Sequence, residues 1–209
     1  SFEPGEFYTP VGVGPHPEPW PTGEQFDPEL LANGDRRNVC DEYRYLTVAA
    51  IRERLAACRS SVHVAIENWQ HDLNIGSLVR TANAFNVAGV HIIGNKHWNQ
   101  HGALMTDKYI EMHHHASATD FRSYTEQNSL QVIGFDNVPG AVALDRFTFS
   151  PNSVLLFGNE GTGLTPDAVE ISDALVEITQ YGSVRSMNAS AAGAIALYAW
   201  MAQHRPSAS

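Results

Sequence analysis

Cysteine is nearly absent: Cys40 and Cys58 are the only two in 209 residues. They are too few for a disulfide framework or a thiolate metal site, and a reduced, cytoplasmic protein is expected. No run of about 20 apolar residues occurs, so no membrane-spanning helix is expected. The first residues lack the basic start and apolar stretch of a secretory leader, and none is expected. Internal repeats and low-complexity tracts are missing as well. Positive charge is short: 13 Lys and Arg stand against 23 Asp and Glu, for a net charge of -10. That balance argues against broad, nonspecific nucleic-acid binding, which needs a basic surface.

The charge is uneven, however. Arg36, Arg37, Arg44, Arg52, Arg54 and Arg59 face only Asp41, Glu42 and Glu53 within residues 36–59. This locally basic segment reads either as a solvated helix face or as a contact for an anionic partner. Residues 1–38 hold seven of the eleven prolines and show no periodicity. They read as an extended arm that is ordered only where it packs on something, with Phe7, Tyr8, Trp20 and Phe26 as anchors. Val48, Ile51, Leu55 and Cys58 then recur at helical spacing and predict an amphipathic helix over 42–58.

Beyond it, short apolar runs at 62–66, 90–93, 130–135, 154–157 and 175–178 alternate with helical patterns at 75–86, 119–127, 165–172 and 187–203. The alternation predicts an α/β domain with a mostly parallel sheet flanked by helices. Ligands of such sheets bind at the carboxyl ends of strands, which directs attention to the loops there.

The loop after 154–157 reads Gly158-Asn159-Glu160-Gly161-Thr162-Gly163-Leu164-Thr165-Pro166. Three glycines in six residues let backbone approach a ligand closely. The spacing of Gly158, Gly163 and Thr165 is near that of a phosphate-binding P-loop, but Leu164 stands in place of the lysine that would meet the terminal phosphates. Pro166 excludes a dinucleotide fingerprint and opens the following helix. After 62–66 comes Asp72-Leu73-Asn74-Ile75-Gly76-Ser77-Leu78-Val79-Arg80-Thr81-Ala82. Ile75, Leu78, Val79 and Ala82 form the sheet-facing stripe, and Asn74 is placed to cap the helix. Arg80 is a lone cation, either a surface arginine or a clamp for a phosphate or a developing charge. After 175–178 comes Gly182-Ser183-Val184-Arg185-Ser186-Met187-Asn188. It leads into the small residues Ala189 to Ala194, so a closely packed, sandwiched helix is expected. Ser186 and Asn188 have the simple role of caps open to them.

Taken together and in order, these three segments resemble the motifs of the SpoU (TrmH-type) family of RNA ribose methyltransferases. The resemblance covers roughly residues 60–203. It implies a C-terminal deep trefoil knot, a feature that no general rule of chain topology predicts, and a homodimer with its active site near the subunit interface. It implies S-adenosylmethionine as cofactor and transfer of its methyl group to a ribose 2′-hydroxyl of tRNA or rRNA, with tRNA favoured. Arg80, Asn74, Glu160, Ser186 and Asn188 match the family's catalytic positions. Gly158, Ile178 and Met187, with Gly163, Val184 and Phe135, are expected around the cofactor. Thr179 and Gln180 depart from the family's usual proline and methionine, Met187 from leucine, and Asn86 from a common glycine. Residues 1–59 remain as a candidate RNA-binding extension before a methyltransferase domain over 60–209. A catalytically inactive relative that binds RNA or cofactor is the alternative, and a nucleotide-binding enzyme using the 158–165 loop is a further one. Neighbouring side chains of an extended segment point to opposite faces, so His113, His114 and His115 cannot converge on one ion and no metal site is expected. His91, His97 and His101 are expected to be surface or structural residues.

Overall fold

The computed structural model describes residues 11–70 and 74–204. The chain divides into two compact units, Ser1–Cys58 and Arg59–Ser209.

The first unit is less extended than its prolines suggest. A short helix, α1 (Pro28–Asn33), starts where Asp27 accepts hydrogen bonds from the Glu29 and Leu30 amides and Pro28 takes an early helical position. Isolated antiparallel bridges join Val13 to Asp35 and Phe26 to Leu46. Asp35 is fully buried. It binds the Arg37 guanidinium through both oxygens, at 2.9 and 2.7 Å, and accepts the Tyr45 amide at 3.0 Å. Burial alone would raise its carboxyl, but the Arg37 fork and the backbone amides outweigh this and hold it at about 2. The expected helix over 42–58 is shorter: α2 spans Val48–Ala57. Tyr45 has a positive φ of 63°, which no helix accommodates, and Thr47 caps the new start through the Ala50 amide. Phe7 and Tyr8 lie outside the described residues.

The second unit carries a seven-stranded sheet. Its elements are β1 (His63–Asn68), α3 (Asn74–Ala84), β2 (Gly89–Gly94), β3 (Met112–His115), α4 (Ala118–Gln127), β4 (Gln131–Phe135), β5 (Val142–Ala143), β6 (Ser153–Phe157), α5 (Pro166–Glu170), β7 (Ala174–Glu177) and α6 (Ala189–His204). The strand order is β3-β2-β1-β6-β4-β7-β5, and every pairing is parallel. All five expected strands and four expected helices are present. Two strands escaped the pattern: β5 has two residues, and β3 reads Met-His-His-His, too polar to register as an apolar run.

The sheet is covered on both faces, as a parallel sheet requires. Val64, Ile66, Leu155 and Phe157 share one apolar cluster with Ile75, Leu78 and Val79 of α3 and Leu197 and Trp200 of α6. Ala65, Val154 and Leu156 share the other with Phe121 of α4 and Ala168 of α5. Alternate residues of β1 and β6 therefore feed opposite layers. Gly193 of α6 meets α3 so closely that an added Cβ would lie 2.3 Å from Leu78. One face only of α6 is buried, and Ile195 and Tyr198 on the other are 42% and 61% exposed. The expected sandwich around α6 is thus half made within this chain. Asn86 adopts a positive φ of 46°, which accounts for glycine being acceptable there and for asparagine, the next most tolerant residue, replacing it.

The histidines form a structural cluster. His91 is fully buried and bonds through Nε2 to His63 Nδ1 and through Nδ1 to His115 Nε2, each at 2.9 Å. It stacks on His113 at 4.6 Å between ring centres. His114 points to the opposite face, with Nε2 2.7 Å from the Gly94 carbonyl. Burial pushes His63 down to about 4, helped by nearby His113, and pushes His91 and His115 down too.

Candidate active site

Four strands deliver loops to one end of the sheet. Beyond β6, the loop from Gly158 folds back on itself: the Gly163 amide donates to the Asn159 carbonyl at 3.0 Å. A Cβ on Gly158 would fall 2.1 Å from the Gly163 carbonyl carbon, so only glycine fits this hairpin. Two carboxylates from neighbouring strands hold the loop. Asp136, just past β4, accepts the Leu164 amide at 3.0 Å. Glu67 of β1 is fully buried and accepts the Thr165 amide at 2.8 Å, the Thr165 hydroxyl at 2.7 Å and the Trp69 indole N–H at 2.8 Å. The Trp69 amide reaches the Asn159 side chain at 3.3 Å. Leu164, where a P-loop would have its lysine, is instead buried in the apolar layer beneath α4 and α5. Thr165 caps α5, and Pro166 opens it as expected.

The three sequence segments meet here. Asn74 opens α3, and its side-chain amide donates to Oε2 of Glu160. Asn188, ahead of α6, donates from Nδ2 to Asn74 Oδ1 at 2.7 Å and to Glu160 Oε1 at 3.1 Å. Its own Oδ1 accepts the Ser190 and Ala191 amides at 2.9 and 3.3 Å. Asn188 is therefore a helix cap and a network member at once. Glu160 is exposed and accepts hydrogen bonds from both asparagines. Asp72 and Leu73 of the same segment lie outside the described residues.

Beside the network lies a cleft of about 240 Å³. Phe135, Phe157, Val176, Ile178 and Met187 give it an apolar wall; Asp136, Asn137, Glu160, Gln180, Arg185 and Ser186 give it polar groups; Gly158 and Gly163 offer backbone. Of the expected cofactor residues, Phe135, Gly158, Gly163, Ile178 and Met187 line this cleft. Val184 does not, and is 65% exposed on the third loop. Of the expected catalytic residues, Glu160 and Ser186 line it, and Asn74 and Asn188 are bonded to Glu160. Arg80 stands apart. It is exposed on α3, six residues and about 9 Å along the helix from Asn74, and it makes no hydrogen bond or ion pair with a described residue.

Sequence reasoning passed over Glu67 and Asp136, while Gln180 entered only as a departure from the resembling family and Arg185 only as part of the third segment. Glu67 did carry a signal, being the one charge inside the apolar strand Val-Ala-Ile-Glu-Asn. Asp136 had only its place just after a strand.

The model of the SpoU rRNA methylase family matches residues 61–198. The tRNA (guanosine(18)-2′-O)-methyltransferase of Escherichia coli (strain K12) is 26% identical over 153 residues, which are 72% of this chain and 67% of that protein. A crystal structure of an A. aeolicus TrmH/SpoU tRNA modifying enzyme superposes with a TM-score of 0.66 at 25% identity, over 78% of this chain and 88% of that one. An AdoMet-bound rRNA methyltransferase from Sinorhizobium meliloti superposes with a TM-score of 0.62 at 25% identity, over 70% of this chain but only 57% of the other.

Proposed function

The chain belongs to the SpoU rRNA methylase family, and from that membership we propose that it methylates a ribose 2′-hydroxyl of tRNA. The observation that carries the reading is the Asn74–Glu160–Asn188 network, which ties all three family motifs together at the edge of one cleft. The name of the E. coli relative supports tRNA as the RNA.

SpoU methyltransferases use S-adenosylmethionine, and the cleft suits it. The apolar wall of Phe135, Phe157 and Ile178 matches a purine ring, and the carboxylates of Asp136 and Glu160 sit where a sulfonium and an ammonium can lie. Arg185 offers a cation to the carboxylate end of the methionine portion. The bound cofactor supplies an electrophilic methyl carbon.

The protein's task is then to hold the ribose oxygen in line with that carbon. Asn74 and Asn188 fix Glu160, and Ser186, which lines the same cleft, would orient the ribose. Arg80 is no general base, because a guanidinium keeps its proton. Its planar fork clamps an RNA phosphate and stabilises the forming alkoxide.

Three further features belong to the same reading. The exposed Arg80 and the exposed Ile195 and Tyr198 of α6 support a homodimer whose site is completed at the subunit interface. The passage of the chain from β7, on the far side of β4 from β6, back to α6 against α3 supports a C-terminal trefoil knot. In the first unit, Arg36, Arg52 and Arg54 are exposed and are the groups that would meet RNA, with Arg54 also donating to the Glu42 carbonyl at 3.2 Å.

The test is transfer of labelled methyl from S-adenosylmethionine to unmodified tRNA and rRNA, with Arg80→Ala alongside. Label on a ribose 2′-oxygen of tRNA, lost in the variant, is the expected result. Labelling of rRNA alone would overturn the choice of RNA. No labelling of any RNA despite cofactor binding would favour a non-catalytic RNA-binding role.

A further inference from the structure

Trp69 directly follows β1 and is 41% exposed, yet it is held firmly in place. Its amide donates to the Asn159 side chain at 3.3 Å, its carbonyl accepts from Asn95 Nδ2 at 3.2 Å, and its indole N–H donates to buried Glu67 at 2.8 Å. An added Cβ on Gly94 would lie 2.9 Å from Cε3 and 3.0 Å from Cδ2 of the ring, so the indole rests on the backbone at the end of β2. An apolar ring left in water forgoes the burial that would stabilise it. A ring fixed in that state is already ordered for a partner, and binding there loses little side-chain freedom.

The position limits which partner that is. Asn159, which takes the Trp69 amide, directly precedes Glu160 of the Asn74–Glu160–Asn188 network. Trp69 is not among the residues that line the cleft, so the cofactor does not account for its exposure. What must pass this corner is the strand whose ribose is presented to the network. The loop after β2 adds a cation. Asn68 Nδ2 donates to the Asn95 and His97 carbonyls at 2.7 and 3.0 Å, and exposed Lys96 stands between those two residues. It is one of only two lysines in a chain of net charge -10. A fixed aromatic face beside a cation is the combination that holds unpaired nucleic acid, the ring stacking a base and the cation meeting a phosphate.

We propose that Trp69 is a substrate-positioning residue whose indole stacks an unpaired base next to the target nucleotide and so sets the ribose in register with the network. The proposal rests on the reading that the chain methylates RNA at that network. Every base has a flat face, so the contact selects an unpaired strand rather than a sequence.

Two variants separate the ring from its N–H. Trp69→Phe and Trp69→Leu both lose the bond to Glu67, but only phenylalanine keeps a flat face. Binding of unmodified tRNA to the full chain, with S-adenosylhomocysteine present, is measured by filter retention, and KM and kcat for methyl transfer are measured alongside. Relative to Trp69→Phe, Trp69→Leu is expected to bind tRNA about tenfold more weakly and to raise KM to match, with kcat and S-adenosylhomocysteine affinity alike in the two. Adding tRNA is expected to quench the tryptophan fluorescence of wild type, and most of that quenching should be lost in Trp69→Phe. Equal tRNA affinity in the two variants would overturn the assignment and leave Trp69 as a strut for Glu67. A loss confined to kcat would overturn it too, as would a change of oligomeric state in Trp69→Leu, which would make the ring a contact between copies. Should Trp69→Leu not fold, undiminished quenching in Trp69→Phe would overturn it equally. If wild type binds tRNA without methylating it, the functional reading falls while the two variants still decide the stacking contact. If wild type does not bind tRNA, both fall.

Discussion

Asn188 donates a hydrogen bond to Asn74 at 2.7 Å across 114 residues of chain. The same side chain caps α6 through its other atom, Oδ1. One residue therefore serves helix stability and site geometry by different ends of its amide, and substitutions can separate the two roles.

Asn188→Asp keeps the capping oxygen but removes the donor and sets a second carboxylate beside Glu160. Thermal stability is expected to stay near wild type, while methyl transfer falls on the order of 10²-fold. Asn188→Ala also loses the cap and about 1 kcal/mol of stability. Urea unfolding and single-turnover rates on both variants check this; an aspartate variant with normal turnover would remove the network from the mechanism.

Arg80 is exposed and makes no described bond within the chain, so its removal should leave the fold alone. Arg80→Ala is expected to unfold within about 0.5 kcal/mol of wild type yet to lose 10²-fold or more in methyl transfer. Arg80→Lys is expected to be nearly as damaging, since lysine lacks the planar fork. Near-normal kcat in the lysine variant would leave the fork without a role.

Glu67 receives three donors, two of them from Thr165. Glu67→Leu strands them, with an expected cost of about 3 kcal/mol. It also frees the start of α5, which anchors the Gly158–Leu164 hairpin. Cofactor affinity should fall with stability in this variant, as calorimetry and urea titration on one sample would show. Unchanged affinity would mean that Asp136 alone holds the loop.

The histidine cluster makes stability depend on pH. His63, at about 4 in the fold, titrates near 6.5 when unfolded, and His91 and His115 are shifted the same way. Above pH 6.5 both states are neutral and the cluster carries no penalty. As pH falls from 6.5 through 4, the unfolded chain takes up protons that the fold refuses, and stability is lost. The groups facing the cluster are His113, Glu111, Asp120 and Tyr124, while His114 acts on it from the opposite face, and the nearby carboxylates of Glu111 and Asp120 only soften the effect. Urea midpoints are expected to drop steadily between pH 6.5 and 4.5. His91→Leu should cost stability at pH 7.5, because it strands two ring nitrogens, but much less at pH 5. Parallel pH profiles for the two proteins would show that the cluster does not titrate with unfolding.

Much of the second unit is legible in the order of its residues. Val62 to Ile66 and Val154 to Phe157 announce buried strands by apolar runs, and Thr165-Pro166 announces a helix start. These signals are local and rest on burial and capping within a few residues. The polar strand β3 was not legible because its histidines satisfy one another across strands β1, β2 and β3, a compensation visible only in space. Nor was α1: its cap, Asp27, sits among prolines that read as an extended arm. The helical spacing of Val48 and Ile51 was read correctly, but Tyr45 shortened the helix from its N-terminal side.

The strand–helix alternation and the three polar loops follow from residue order, because periodicity and turn chemistry act over short stretches of chain. Which loops share a site does not. Asn74, Glu160 and Asn188 converge because β6 inserts beside β1 and the chain returns from β7 to lay α6 on α3, pairings fixed by burial across the whole sheet. The same long-range packing spends Arg37 and Arg44 inside the first unit and buries His91 among its neighbours.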